Sequence, residues 1–232
     1  MRQDRRDGEV HVWVVPLRGP GAESHLLSTA ERERMERLAS AADRHRYGLA
    51  HASRRLILAS YLNCSPEQVD IRTDELGKPG VRGSELEHSL AHAGDRALVA
   101  VGWGRALGVD VERVHRMPDV EALVRGAFTT REREHLAAAR DEARELLRLW
   151  TRKEALLKAT GEGVRDWTRG LDVLDDEPRA GWRLVDLELG ADYVGAVAVD
   201  AGVTRIRQLD WQKKSRPAGD GPARASGEEV LL

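Results

Sequence analysis

The sequence predicts an α+β fold built as two pseudo-symmetric halves, each a small mostly antiparallel sheet packed with a long helix, with the active site in the crevice between them. Three observations predict it. LSTAERER at 27–34 matches FTTREREH at 128–135, and SRRLILA at 53–59 matches KEALLKA at 153–159, both at an offset of about 100 residues, as a duplicated unit requires. Each copy opens with a capping-box signal, Ser28 to Glu31 and Thr129 to Glu132, which marks a helix start. The β-branched runs do not alternate with helices as a βαβ series, which argues against a doubly wound parallel sheet.

The elements follow in order. EVHVWVVP (9–16) reads as the first strand, and Arg54 and Arg55 begin an apolar helical run, LILASYL. The region around VDIRT (69–73) is strand-like, LGKPG (76–80) is a turn, and SLAHAGD (89–95) places His92 just before a Gly-Asp turn. ALVAVGW (97–103) and ALGVDVERV (106–114) are strands, as are YVGAVAV (193–199) and TRIRQLDW (204–211). The domain reading is an N-terminal half over 1–105 and a C-terminal half over 106–212. Residues 213–232, rich in Pro, Gly, Ser and Ala, are expected to be a disordered tail.

Composition narrows the class without naming a partner. With 41% apolar and 33% charged residues, 232 residues suffice for a substantial core, and a net charge of −2 gives no general pull toward nucleic acid or membrane. Cys64 is the single cysteine, so neither an internal disulfide nor a zinc cluster is expected. The start carries no signal-peptide core, and a cytoplasmic location is expected. Arginine greatly outnumbers lysine, so Lys78, Lys153 and Lys158, all inside motif-like stretches, are worth inspecting.

In WTRKEALLKATGEG (150–163), Glu154 and Lys158 lie on or beside the apolar stripe Leu147, Trp150, Leu157. An exposed i, i+4 pair would contribute only about 0.2–0.5 kcal/mol to a helix. Partial burial makes that role less convincing and points to an inward-facing function. In ALGVDVERV, Asp110 and Glu112 share one face of a strand, about 7 Å apart, where they could be a solvated edge or the oxygen ligands of a hard cation such as Mg²⁺. Arg54, Arg55, Lys78 and His92 add phosphate-directed chemistry.

Taken in order, GKP at 77–79, SLAHAGD, GVDVE at 108–112, FTTRE at 128–132 and W-x-x-K-E-A-x-x-K-x-x-G from Trp150 to Gly161 resemble the 4′-phosphopantetheinyl transferase superfamily, Sfp type, over roughly residues 10–211. The resemblance implies transfer of phosphopantetheine from coenzyme A to a serine of an apo acyl or peptidyl carrier protein, releasing adenosine 3′,5′-bisphosphate. It implies that Asp110, Glu112 and Glu154 hold Mg²⁺ and that Glu154 is the base. Lys158, with Lys153 beside it, would meet the pyrophosphate. Arg54, His92 and Arg34 would grip the 3′-phosphate, and Lys78 would lie near the adenine. Two departures stand out: Ala91 and Ala93 flank His92 in place of serines, and Glu31 sits where a cation is expected.

Two other readings use the same residues. One is a catalytically weak module that binds carrier protein or coenzyme A; the intact acidic set argues against it. The other is a different Mg²⁺-dependent phosphoryl or nucleotidyl transferase, although neither a GxxxxGK[ST] loop nor a kinase-like motif set is present. A monomer is expected, since the pseudo-dimer interface is already internal.

Overall fold

Alternation in β1 (Glu9–Pro16) sends Val10 and Val12 into one core and Trp13 and Val15 into another, so this strand is buried on both faces. That double burial fixes the architecture of the computed structural model, which describes residues 7–19, 24–115, 120–162, 170–211 and 227–231. Helices α1 (Thr29–Glu36) and α2 (Ala41–Leu62) precede β2 (Ile71–Thr73), β3 (Pro79–Val81), β4 (Leu86–Ala93), β5 (Arg96–Trp103) and β6 (Leu107–Arg113). Then come α3 (Val120–Ala127), α4 (Thr130–Ala138), α5 (Glu142–Thr160), β7 (Trp182–Asp186), β8 (Tyr193–Asp200), β9 (Arg205–Asp210) and β10 (Gly227–Leu231).

Two sheets carry the fold. The first has the order β10-β9-β1-β5-β4 and the second β6-β8-β7, with β2 and β3 forming a separate ribbon. All pairs are antiparallel except β1 with β9. Three large apolar clusters define four layers. Ile57 and Leu58 of α2 pack on Val99 and Val101, and Leu156 and Ala159 of α5 pack on Ala196 and Ala198. Between the sheets, Val12, Leu98 and Ala100 meet Val109, Val111 and Val197. The order is therefore helix, sheet, sheet, helix, an α+β arrangement.

The sequence repeat has a bonded counterpart. In each copy the cap residue's N–H donates to the glutamate carboxylate at 2.7 Å and the glutamate N–H donates to the cap hydroxyl at 3.2 Å, at Ser28 and Glu31 and again at Thr129 and Glu132. Arg32 Nη1 donates to Leu27 O and Arg133 Nη1 to Phe128 O, both at 2.6 Å. The long helices that follow each end in a left-handed residue, Asn63 (φ 54°) and Gly161 (φ 73°).

Three features differ from the expectations. Residues 86–93 form an unexpected strand, β4, that runs up to the expected turn at Gly94 and Asp95, because neighbouring β5 pairs along the full length of the segment. Residues 227–231 of the tail add as β10 to β9, while 212–226 lie outside the described residues. Finally, β9 and β10 follow residue 105 in sequence yet join the sheet of β1, β4 and β5. Among the described residues no helix is long and apolar enough to cross a membrane.

Candidate active site

Each sheet exposes one edge strand beside the other, β4 from the first and β6 from the second. Ser89 Oγ spans the seam by accepting the Val109 N–H at 3.1 Å, satisfying an edge amide that neither ladder would serve. Along this seam, between α2 and α5, opens a cavity of about 710 Å³. Gly108 sets how closely α5 approaches: a Cβ there would lie 2.1 Å from the Ala155 carbonyl oxygen and 2.4 Å from the Ala159 amide nitrogen. The helix backbone thus rests on the β6 backbone, and the next residue on the same face is Asp110.

Asp110 is buried, and Lys158 Nζ donates to its Oδ1 at 2.6 Å. Its other oxygen, Oδ2, is buried with no hydrogen-bond partner. Burial pushes the Asp110 carboxyl above the ordinary aspartate range against the pull of Lys158. Glu112 and Glu154 are likewise raised, first by burial and then by the charge of Asp110, and Glu112 also senses Glu154. Three carboxylates therefore share one field with a single ammonium among them. One turn apart on α5, half-buried Glu154 and Lys158 both line the cavity.

The other walls bring together Arg34, Arg54, Lys78 and His92. Arg54 is not a free guanidinium. Its Nη2 donates to Glu31 Oε1 at 2.5 Å, Arg55 Nε donates to Oε2 at 3.0 Å, and His51 shares the same carboxylate. Burial alone would raise the Glu31 carboxyl, but His51, the Ser28 N–H and both guanidiniums outweigh it and hold it low. Burial lowers the His92 pKa, with Lys158 acting in the same direction, so the ring favours its neutral form. Lys78 Nζ donates to the Ala159 carbonyl at 3.0 Å near the end of α5. Arg34 lies exposed at the rim.

Lys153 is the exception and corrects the expectation of a pyrophosphate contact. It is 1% exposed, its Nζ sits 2.9 Å from Glu132 Oε2 and also donates to the Leu171 carbonyl, and it lies over the Phe128 ring. It locks α4 to α5 and does not line the cavity. Conversely, sequence reasoning overlooked His88, Tyr47 and His51, which do line it. His88 could have been found from EHSLAHA read as a strand, where it shares a face with His92.

Among the described residues no three acidic or imidazole side chains converge tightly enough to hold an ion unaided. The donor set nonetheless fits a hard cation that completes its shell with substrate oxygens, the usual habit of Mg²⁺. The unpartnered Asp110 Oδ2 is the atom such an ion would satisfy.

Residues 106–197 match the model of the 4′-phosphopantetheinyl transferase superfamily. The chain is 34% identical to 4′-phosphopantetheinyl transferase HetI of Nostoc sp. over 222 residues, covering 89% of this chain and 91% of the relative. It is 31% identical to a putative 4′-phosphopantetheinyl transferase of Synechocystis sp., covering 78% and 80%. A third relative, 4′-phosphopantetheinyl transferase psf-1 of Bacillus pumilus, is 30% identical over 70% of each chain.

Proposed function

This chain belongs to the 4′-phosphopantetheinyl transferase superfamily, and we propose that it is an Sfp-type enzyme that moves the 4′-phosphopantetheine arm of coenzyme A onto a serine hydroxyl of an apo acyl or peptidyl carrier protein. The observation that carries this reading is the pairing of Lys158 with Asp110 at 2.6 Å, with Lys158 and Glu154 lining a cavity that Arg54, Lys78 and His92 also line. Carboxylates and an ammonium, with further cationic and imidazole groups around the same cavity, suit a pyrophosphate attached to a nucleotide.

In this reading Asp110, Glu112 and Glu154 hold Mg²⁺, which when bound offsets pyrophosphate charge and polarises the attacked phosphorus. The serine Oγ forms the new P–O bond, the bond to the nucleotide phosphate breaks, and adenosine 3′,5′-bisphosphate leaves. Glu154 takes the serine proton, and its raised pKa makes it a stronger base than an exposed glutamate. Lys158 meets the charge that develops on the leaving phosphate. Arg54, Arg34 and His92 hold the 3′-phosphate end, with Lys78 near the adenine, and the Ala91 and Ala93 flanks leave that grip to side chains other than serine. The carrier, with its acidic helices, docks along the strip from Arg113 to Phe128, where Arg113 and Arg125 are exposed and Arg116 lies outside the described residues. The two halves, 1–105 and 106–212, act as one cytoplasmic monomer.

Intact-mass spectrometry of apo acyl and apo peptidyl carrier proteins incubated with this protein, coenzyme A and Mg²⁺ tests the reading. A gain of one phosphopantetheine that disappears with EDTA supports it; no gain on either carrier, while coenzyme A still binds, would redirect it to a binding module.

A further inference from the structure

His88 is fully buried on β4, and neither Nδ1 nor Nε2 has a hydrogen-bond partner. Buried polar atoms are nearly always paired, so two orphaned nitrogens on one ring call for a physical reason. The ring lies in the wall of the cavity, on the strand face it shares with Leu90 and His92. Arg54 and Lys78 line the same cavity, and the charges of both act on the ring. Burial, followed by those two cations, drives its pKa down to about 3, so the ring is neutral at working pH.

A neutral imidazole offers one N–H donor and one lone pair. The two nitrogens diverge, so one at a time can face a bound group, and by changing tautomer it either donates or accepts. A phosphate in this cavity is already served by Arg54 and Lys78, whereas the uncharged edge of a nucleobase suits a neutral ring. Tyr47 and His51, stacked at 3.9 Å between ring centroids, add aromatic surface to the same cavity. Resting on the reading that this cavity takes coenzyme A, we propose that His88 is a further ligand-binding and specificity residue whose ring turns to hydrogen-bond the edge of the adenine base when the cavity fills.

In the unliganded protein the orphaned ring is a cost that binding removes, so stability and affinity should move in opposite directions on His88→Phe. The test combines thermal unfolding with calorimetric titration of coenzyme A, adenosine 3′,5′-bisphosphate and 4′-phosphopantetheine into the wild type and the variant. Loss of one hydrogen bond corresponds to roughly a tenfold loss of affinity for both nucleotides, with the pantetheine arm unaffected, while the unliganded melting temperature rises by about 2–4 °C. Adenosine 3′,5′-bisphosphate analogues lacking the exocyclic amine, N1 or N7 supply the cycle: the wild type should bind at least one of them more weakly than adenine, and the variant should lose that preference.

Unchanged nucleotide affinity would overturn the assignment, as would equal losses for adenine and for every one of these analogues, which would mark a packing effect. His88→Gln, which retains a donor and an acceptor, should recover part of the adenine preference. Failure of the wild type to bind any of the probes would instead bring down the coenzyme A reading of the cavity, and this assignment with it.

Discussion

Lys158 reaches from α5 to within 2.6 Å of Asp110 on β6, and it satisfies one carboxylate oxygen while leaving the other bare. The ammonium stands in the place of a cation without filling the acceptor capacity of the site. Asp110→Asn keeps the size of the side chain and removes the charge, so transfer should fall by at least about 10²-fold with the melting temperature maintained. Carrier mass shifts and thermal unfolding of the same preparation check it, and wild-type activity retained by the variant, with no change in its Mg²⁺ requirement, would remove Asp110 from the metal set. Lys158→Ala should lower kcat more than it weakens coenzyme A binding.

Neighbours in sequence should part company in their effects. Lys153→Ala leaves Glu132, which has no exposure, without its ammonium, and the expected cost is about 3–5 kcal/mol of unfolding free energy by urea titration. Glu154→Gln should leave stability nearly unchanged and slow transfer by about 10²–10⁴-fold. Equal stability losses in the two variants would refute the division of roles.

Gly108→Ala should damage structure and activity together. Its methyl group would sit inside the α5 backbone, 2.1 Å from the Ala155 oxygen, and no side chain can swing aside to admit it. A loss of about 3 kcal/mol or more is expected, read by denaturant midpoint, together with loss of transfer as α5 lifts Glu154 and Lys158 away from Asp110.

Acid should destabilise the protein earlier than carboxylate titration alone would. Burial, the largest cause for both, depresses His51 to about 4 and His88 to about 3; the charge of Arg54 acts in the same direction on each, and Lys78 also acts on His88, while Glu31 opposes the shift at His51. Each ring binds its proton more weakly folded than unfolded. As pH falls below about 6.5 the unfolded chain takes up protons that the folded chain refuses, so stability declines through the window down to about pH 3–4. Melting temperatures measured from pH 7 to 4 should fall, and His88→Phe should flatten the slope. An unchanged slope in that variant would show that His88 does not contribute.

What could be read from the sequence was local. The capping boxes and the repeat are patterns of near neighbours, and their bonds recur with the same lengths in both copies. Glu154 and Lys158 betrayed themselves by interrupting an apolar stripe. Lys153 misled because adjacency in a helix turns the side chain by about 100°, which carries it from the cavity wall into the contact with α4. The capture of Arg54 by Glu31 joins positions 23 residues apart on different helices, beyond the reach of any periodicity. Strand β4 was hidden because its sequence, LEHSLAHA, mixes histidine, serine and alanine and lacks a β-branched residue, while β10 gains its place only from the edge that β9 offers.

The parallel pairing of β1 with β9 has a consequence for synthesis. During translation β1 emerges early and meets β5 on one side, but its other side stays open until residues 205–210 leave the ribosome. A nascent chain stalled after β6 would display a valine-rich strand edge able to recruit other chains. The two halves therefore cannot be separated into independent fragments by cutting between them, because the last strands to be made complete the sheet begun by the first.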